Sequence, residues 1–158
     1  MDTLRIGILS ILLSVSPNSL GKSAQLPFSL TISAPASVAP GSDVAIKITL
    51  TNSSETDIVI VDTDRECEYA VEIRAENGKP VSETQHKRDL KCKKIPFNGK
   101  RSIITLKPHK SMEDEMLIDR LYEMDRPGAY SIQLTREVPK EMGKGVVKSN
   151  ILTIAVAE

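Results

Sequence analysis

Two cysteines are the residues whose chemistry this sequence defines most clearly. Cys67 and Cys92 stand 25 positions apart and are the only cysteines in the chain. In a chain that leaves the cytoplasm, an even pair of cysteines favours a disulfide. The alternative is two thiols without a role. A cysteine nucleophile would require His86 or His109 to be brought beside it by the fold.

Other side chains that bind metals or move protons do not fall into a recognisable pattern. His86 and His109 have neither the HxH nor the HxxxH spacing of zinc ligands. The acidic stretch from Glu113 to Asp125 lacks the Asp/Asn/Gly loop of a calcium site. No GxSxG elbow and no glycine-rich phosphate loop occurs. We therefore predict a protein that is not an enzyme and has no cofactor, metal or catalytic residue.

A shorter run of alternating acids, Asp62, Asp64 and Glu66, lies just before Cys67. It is a candidate cation site, whereas the simpler interpretation is a solvated face.

Basic residues are concentrated between His86 and Lys94, a segment that we interpret as a long loop. It is the best candidate for an interaction surface, because clustered cations bind acidic partners. The alternatives are pairing with the acidic stretch Glu113 to Asp125 within the fold, or plain solubility. The candidate interaction residues are Lys87, Arg88, Lys91, Lys93 and Lys94.

The first 21 residues have the order of a cleavable secretory signal. Arg5 precedes an apolar run from Ile6 to Val15, and the small residues Ser19 and Gly21 suit a cleavage site. The apolar run is about half as long as a transmembrane helix. We predict a signal peptide at 1–21, a linker at 22–26 and a secreted or periplasmic protein without membrane insertion after cleavage.

Charge and aromatic content then limit the partners of the remaining segment, 27–158, which has the size of one domain. The full chain has 21 acidic and 21 basic residues, so there is no global attraction to nucleic acid or anionic membranes. An aromatic content of 3% leaves few rings to stack on sugars or bases. A protein partner is the remaining expectation.

Alternation with a period of two dominates this segment and is typical of half-buried strands. Turn signals such as Pro40-Gly41, Asn77-Gly78 and Pro127-Gly128 separate the alternating runs. We predict an all-β fold, an antiparallel β-sandwich of about 7–9 strands. The predicted strands are 28–33, 44–51, 57–61, 67–74, 81–84, 103–106, 130–135 and 152–156.

Two further segments are harder to assign from periodicity. Residues 111–124 fit a capped helix as well as a strand, and we predict a strand followed by one short helical turn near 119–123. Pro139 to Lys148 is predicted to be a hairpin loop.

The second half of the chain resembles immunoglobulin-like domains of bacterial secreted proteins. The resemblance rests on Leu106-Lys107-Pro108-His109, where that family has a leucine, x, proline, glycine turn, and on Pro127-Gly128-Ala129-Tyr130. It implies an immunoglobulin-like sandwich, with Tyr130 at a corner position or, alternatively, stacking on a ligand. His109 replaces the usual glycine, and the buried tryptophan and strand-to-strand cysteine pair of antibody domains are missing.

These observations predict an exported, non-enzymatic binding module. A secreted protease inhibitor that acts through an exposed loop is the alternative, with the loop at Lys87 to Lys94 or at Pro139 to Lys148.

Overall fold

The computed structural model of the chain describes residues 26–62, 64–92 and 102–158. The predicted signal peptide at 1–21 and residues 22–25 of the predicted linker lie outside these ranges. Lys93 and Lys94 of the predicted interaction segment lie outside them as well. The described part contains no helix that is long and apolar enough to cross a membrane.

The described residues are mostly β, with a few short helices between the strands. Their strands are β1 (Phe28–Ser33), β2 (Ser37–Val38), β3 (Ala45–Asn52), β4 (Ile58–Asp62), β5 (Ala70–Ala75), β6 (Ser102–Leu106), β7 (Ser111–Leu117), β8 (Gly128–Glu137), β9 (Val146–Lys148) and β10 (Leu152–Val156). The helices are α1 (Arg65–Glu68), α2 (Gln85–Asp89) and a 3-10 turn, Lys140–Met142.

These strands form three hydrogen-bonded sheets. One has the order β1-β3-β7, all antiparallel. The second has the order β2-β10-β8-β5, with β9 on β8, and only the β2–β10 pair is parallel. The third is the antiparallel pair β4–β6. The described strands number ten rather than the expected 7–9 because β2 and β9, with two and three residues, are too short to show a period.

Most of the core is formed by the buried side of the alternating strands, and the segment after β7 adds Ile118 and Leu121. In β1 every second residue, from Phe28 onwards, is buried, and in β8 the buried positions include Ile132 and Leu134. Strands with this pattern bury one face and leave the other in water. The largest fully buried apolar side chains are Phe28, Ile46, Ile48, Leu50, Ile60, Ile118, Leu121, Ile132, Leu134 and Ile154.

Two asparagine side chains complete backbone hydrogen bonding where strands end. Asn52 is fully buried, and its amide nitrogen donates to the carbonyl oxygens of Thr56 and Leu106, each at 2.8 Å. Asn150 accepts from the backbone nitrogen of Ile32 at 2.8 Å and donates to its oxygen at 3.0 Å. The second asparagine therefore joins the first sheet to the segment that enters β10.

The strand predicted from Cys67 begins only at Ala70. The Asp64 carboxylate accepts a hydrogen bond from the backbone nitrogen of Glu66 at 3.1 Å and so caps the short helix α1. An Asp side chain that bonds to a nearby backbone nitrogen favours a helix start over a strand. Cys67 therefore lies in a helical turn.

The strand predicted at Val81–Thr84 is not formed as a named strand. The backbone nitrogen of Val81 bonds to Ile73 on β5, but the nitrogen of Thr84 bonds to Leu121, at 2.9 Å. The segment thus changes partner within four residues, which leaves only isolated bridges at Pro80 and Glu83.

The two predicted loops contain more regular structure than expected. The first four residues of the basic segment, 86–89, belong to α2, because the Thr84 hydroxyl accepts from the backbone nitrogen of Lys87 at 3.2 Å and caps the helix. Within the hairpin at 139–148, Val146–Lys148 pair with β8 as β9, so the connection itself is shorter.

The strand predicted within 111–124 is confirmed, whereas the helical turn predicted near 119–123 is a hydrogen-bonded turn and not a helix. β7 covers Ser111–Leu117, and the backbone nitrogens of Leu121 and Tyr122 both donate to the oxygen of Ile118 at 2.9 Å. Tyr130 is buried, and its hydroxyl donates to the backbone oxygen of Arg126 at 2.7 Å, so the residue packs in the core.

Candidate interaction site around the disulfide

Helix α1 is a polar junction in which each side chain reaches a different part of the fold. Its four residues bury no apolar group, so contacts at its surface hold it in place. The contacts are an ion pair of Arg65 with Asp114 on β7, a contact of Glu66 with His86 on α2, a disulfide of Cys67 with Cys92, and an ion pair of Glu68 with Arg136 on β8.

The disulfide that the cysteine count predicts joins Cys67 to Cys92. The two sulfur atoms are 2.04 Å apart and the two α-carbons 5.2 Å apart. Both cysteines are exposed residues. A bridge across this sequence separation stabilises a fold by about 3 kcal/mol, chiefly because it restricts the unfolded chain. It fixes the end of the basic segment against α1.

Arg136 and Tyr69 form the buried side of the junction. The Arg136 guanidinium donates to the Tyr69 hydroxyl at 3.0 Å and lies 5.2 Å from the centre of its ring. Burial raises the pKa of the Tyr69 hydroxyl, and the positive charge of Arg136 opposes part of that rise. The phenol is therefore neutral at physiological pH and serves as a hydrogen-bond acceptor for the guanidinium.

Helix α2 carries Lys87 and Arg88, two of the three described interaction residues, and Lys91 lies two positions beyond its end. Nε2 of His86 lies 2.7 Å from the Glu66 carboxylate, which ties the first turn of α2 to α1. Arg88 bonds to the side-chain oxygen of Gln85 and to the backbone oxygen of Glu83, both close to it in sequence. Arg88 and Lys91 are exposed and Lys87 is half-buried. Two of these cations, Lys87 and Arg88, therefore project from a short helix, whereas a long loop was expected.

The acidic stretch does not pair with these cations in the part of the chain that the structure describes. Glu113 instead forms an ion pair with Lys47 at 2.8 Å, and Asp114 pairs with Arg65. Intramolecular neutralisation was one of the alternatives for the basic segment. Among the described residues, the ends of Lys87 and Lys91 remain available to a partner.

We call residues 64–69 and 84–92 the α1–α2 lobe. The lobe is attached to the sheets at its Thr84 end through the hydroxyl of Thr84, which donates to the Arg120 oxygen at 2.6 Å. At its Cys92 end, the disulfide joins it to α1, and α1 in turn contacts β7 and β8 through ion pairs. A small cavity lies beneath α1 and is lined by Ile60, Val61, Arg65, Glu68, Tyr69, Met112, Asp114 and Arg136.

The remaining candidates from the sequence are dispersed. Asp64 caps α1 and Glu66 contacts His86, so these acids have structural partners, and the side chain of Asp62 lies outside the described residues. His109 lies in a different turn, with its Nε2 3.5 Å from a carboxylate oxygen of Glu55. Within 26–62, 64–92 and 102–158, no three His, Cys, Asp or Glu side chains converge as metal ligands.

The residues that build the junction were missed because their partners are remote in sequence. Arg136 lies 67 positions from Tyr69, and Asp114 lies 49 positions from Arg65. Neither the alternation of apolar residues nor the spacing of a motif predicts contacts between positions so far apart in the sequence. The one local signal was Asp64, whose side chain and position suit a helix cap.

No protein-family model matches this sequence, and no curated protein matches it. Among solved structures, the β-glucosidase from Listeria innocua in complex with glucose is similar, with 14% identity and a TM-score of 0.43 over 83% of this chain. The β-glucosidase from the same organism in complex with isofagomine gives 15% identity and a TM-score of 0.41 over the same share. The chain spans only 16% of the length of these enzymes.

Proposed function

We propose that this chain is an exported, non-enzymatic protein-binding module whose binding surface is the α1–α2 lobe. In this proposal its sheets form an immunoglobulin-like sandwich that serves as the scaffold. The observation that carries the proposal is the attachment of α2 at both ends, by the Thr84 contacts and by the Cys67–Cys92 bridge. A surface held in its binding shape loses little conformational entropy when a partner docks.

The chemistry of the lobe favours an acidic partner. Lys87, Arg88 and Lys91 present positive charge. Asp89 is the acid that stands among them, and its carboxylate accepts from the Gln85 amide at 2.9 Å. Glu66 and Glu68 are engaged with His86 and Arg136. Opposite charge on a partner would steer association and set its orientation. The low aromatic content favours a protein over a sugar or a nucleic acid as that partner.

A binding experiment with reversed charges tests this assignment. The wild-type chain and a Lys87→Glu/Arg88→Glu/Lys91→Glu variant are immobilised and exposed to the secreted or periplasmic fraction of the producing cells. A matched control, Lys140→Glu/Lys144→Glu/Lys148→Glu, reverses three exposed charges on the β8–β9 hairpin.

The proposal expects one defined partner that binds the wild-type chain and the hairpin control, with at least tenfold weaker retention on the lobe variant. Equal retention of that partner on all three proteins contradicts a site on the lobe. Recovery of the free monomer alone contradicts the binding function.

Protease inhibition remains a second candidate, and one observation favours the hairpin rather than the basic segment as its loop. Residues 139–145 are closed by a bond from the Val138 nitrogen to the Gly145 oxygen at 3.0 Å and expose Lys140 and Lys144. Proteases bind segments in extended form. Helix α2 spans Gln85–Asp89, whereas in the hairpin residues 143–145 lie outside the 3-10 turn Lys140–Met142 and include the exposed Lys144. Assays against serine, cysteine, aspartic and metalloproteases test this. Inhibition that Lys144→Ala abolishes would support it, whereas no inhibition of any class would reject it.

A further inference from the structure

The α1–α2 lobe has little apolar packing of its own. Neither α1 nor α2 buries a residue, and both helices are about one turn long. Helices of this length are not stable without tertiary contacts. In the segment from Gln85 to Cys92, Leu90 is the single large apolar side chain, and it is only half-buried. The order of this segment therefore depends on its attachments.

The disulfide is the strongest of these attachments and is placed where solvent reaches it. Cys67 and Cys92 are both exposed, unlike structural bridges that lie inside a core. The other attachment of α2 to α1 is the exposed contact between His86 and Glu66, and exposed polar pairs contribute little. Removing the disulfide would thus leave the Cys92 end of the segment held chiefly by the half-buried Leu90, which packs against the core.

The sheets do not share this dependence. β5, which follows α1, pairs with β8 over six residues from Ala70 to Ala75. The contacts of Tyr69 and Glu68 with Arg136 on β8 involve neither cysteine. The buried core contains neither cysteine, and most of its residues lie on strands. Loss of the bridge is therefore a local event.

From these relationships we infer that the Cys67–Cys92 disulfide is a redox-sensitive latch. Its reduction releases the segment from Gln85 to Cys92, while the three sheets remain folded. The inference of a latch rests on the exposure and placement of the bridge and on the sparse packing of the segment. It does not require the proposed binding function. Its consequence for partner binding rests on the proposed function of the lobe.

The chemical step is thiol–disulfide exchange with an external thiol reductant. A thiolate of the reductant attacks one sulfur of the bridge, the Cys67–Cys92 bond breaks, and a mixed disulfide forms while the other cysteine leaves as a thiolate. A second thiol of the reductant resolves the mixed disulfide. In total the bridge gains two electrons and two protons, and the reductant is oxidised to its own disulfide.

The experiment uses the full oxidised chain and dithiothreitol, without denaturant. Free thiols are trapped with a maleimide and counted by mass, and far-ultraviolet circular dichroism follows the sheets. Trypsin cleavage after Lys87, Arg88 and Lys91 reports the order of the segment, with cleavage after Arg74 on β5 as the internal control. We expect two thiols for each chain, an unchanged β spectrum and at least tenfold faster cleavage in the segment, but not after Arg74.

Two variants separate the bridge from its surroundings. Cys67→Ser/Cys92→Ser should show the fast cleavage without any reductant, and His86→Ala should keep the slow cleavage while oxidised. The latch is wrong if the bridge is reduced only after the sheets unfold, or if reduction leaves cleavage in the segment unchanged. Binding of the partner, measured separately, distinguishes the two proposals: unaltered retention by the reduced chain would contradict the lobe as the binding site and leave the latch standing.

Discussion

The guanidinium of Arg136 lies over the ring of Tyr69, 5.2 Å from its centre, and donates to its hydroxyl at 3.0 Å. The carboxylate of Glu68 pairs with the same guanidinium. A charge that is always present needs such partners when it is taken from water. The three side chains thus fasten the end of α1 to β8, beneath the exposed part of the α1–α2 lobe.

Replacement of Arg136 by methionine should destabilise the fold. Arg136 is 8% exposed, and the change removes both the ion pair and the hydrogen bond while leaving the Glu68 carboxylate in a largely buried place. Breaking one partner of such a pair should lower the free energy of unfolding by about 2–4 kcal/mol. Urea denaturation followed by circular dichroism measures the change.

The matched control for that prediction is Arg74→Met. Arg74 pairs with Glu72 across two positions of β5, with both side chains more than half exposed. Exposed pairs contribute less than about 1 kcal/mol, so the control should be nearly neutral. Equal losses in the two variants would show that burial of Arg136 has no energetic consequence.

Alkaline pH should destabilise the fold through Tyr122. Burial, and secondarily the charge of Glu83, raises the pKa of its hydroxyl above the ordinary value of 10.0, and the hydroxyl donates to the Val71 oxygen at 3.0 Å. The unfolded chain then loses this proton at lower pH than the folded chain. The stabilisation is complete below about pH 10 and is lost as pH rises through the folded pKa. Urea unfolding at a series of alkaline pH values measures it.

Tyr122→Phe supplies the comparison for the pH series. The variant lacks the titrating hydroxyl, so its stability should be lower at neutral pH but should fall less steeply above about pH 10. Tyr69, whose pKa is also raised by burial, still titrates in this variant and limits the flattening. Identical slopes for the variant and the wild-type chain would rule out Tyr122 as a source of the alkaline loss.

The stability of the fold should depend on the amide nitrogen of the buried Asn52 side chain. Its nitrogen donates to two carbonyl oxygens, and its oxygen accepts from the backbone and hydroxyl of Ser54. Asn52→Asp keeps the shape but sets a carboxylate oxygen against both carbonyls. We expect a loss of about 3 kcal/mol in the free energy of unfolding at neutral pH.

Acid reverses part of that loss, because a protonated carboxyl can donate one of the two bonds. The difference between Asn52→Asp and the wild-type chain should therefore shrink in urea titrations as the pH falls towards about 4. A difference that does not depend on pH would contradict the assignment of the amide nitrogen as a double donor.

Much of the strand pattern could be predicted because alternation is a local property. The burial of every second residue in β1, β3 and β8 follows directly from the sequence. The helices α1 and α2 could not be predicted in the same way, since each is about one turn long and has no apolar stripe. Caps at Asp64 and Thr84 and a distant disulfide define them instead.

The sequence predicted which residues of the candidate site carry charge or form the disulfide, but not that they lie together. The sequence identified the cysteine pair and the cations Lys87, Arg88 and Lys91 as separate features. Their assembly into one lobe depends on contacts between β7, β8 and α1, which cross long stretches of chain. Periodicity carries no information on such contacts, because they follow from how the sheets pack and not from the order of residues along one strand.

The turn before β7 gives a last prediction, in which the sequence and the backbone disagree about one residue. The backbone nitrogen of Lys110 donates to the oxygen of Lys107 at 3.1 Å, and His109 occupies the third position of this turn with φ of 59°. A type II turn favours glycine at that position, as does the family that this segment resembles. His109→Gly should therefore raise the free energy of unfolding by about 0.5–1 kcal/mol, since it relieves the left-handed strain at some cost in chain entropy. His109→Ala is the control because it retains a β-carbon and should give no gain.

The contact of His109 with Glu55 is exposed and long, at 3.5 Å, so its loss weighs little in either variant. Thermal and urea denaturation of the two variants measure the difference, and an equal gain in both would place the strain in the imidazole side chain rather than in the backbone.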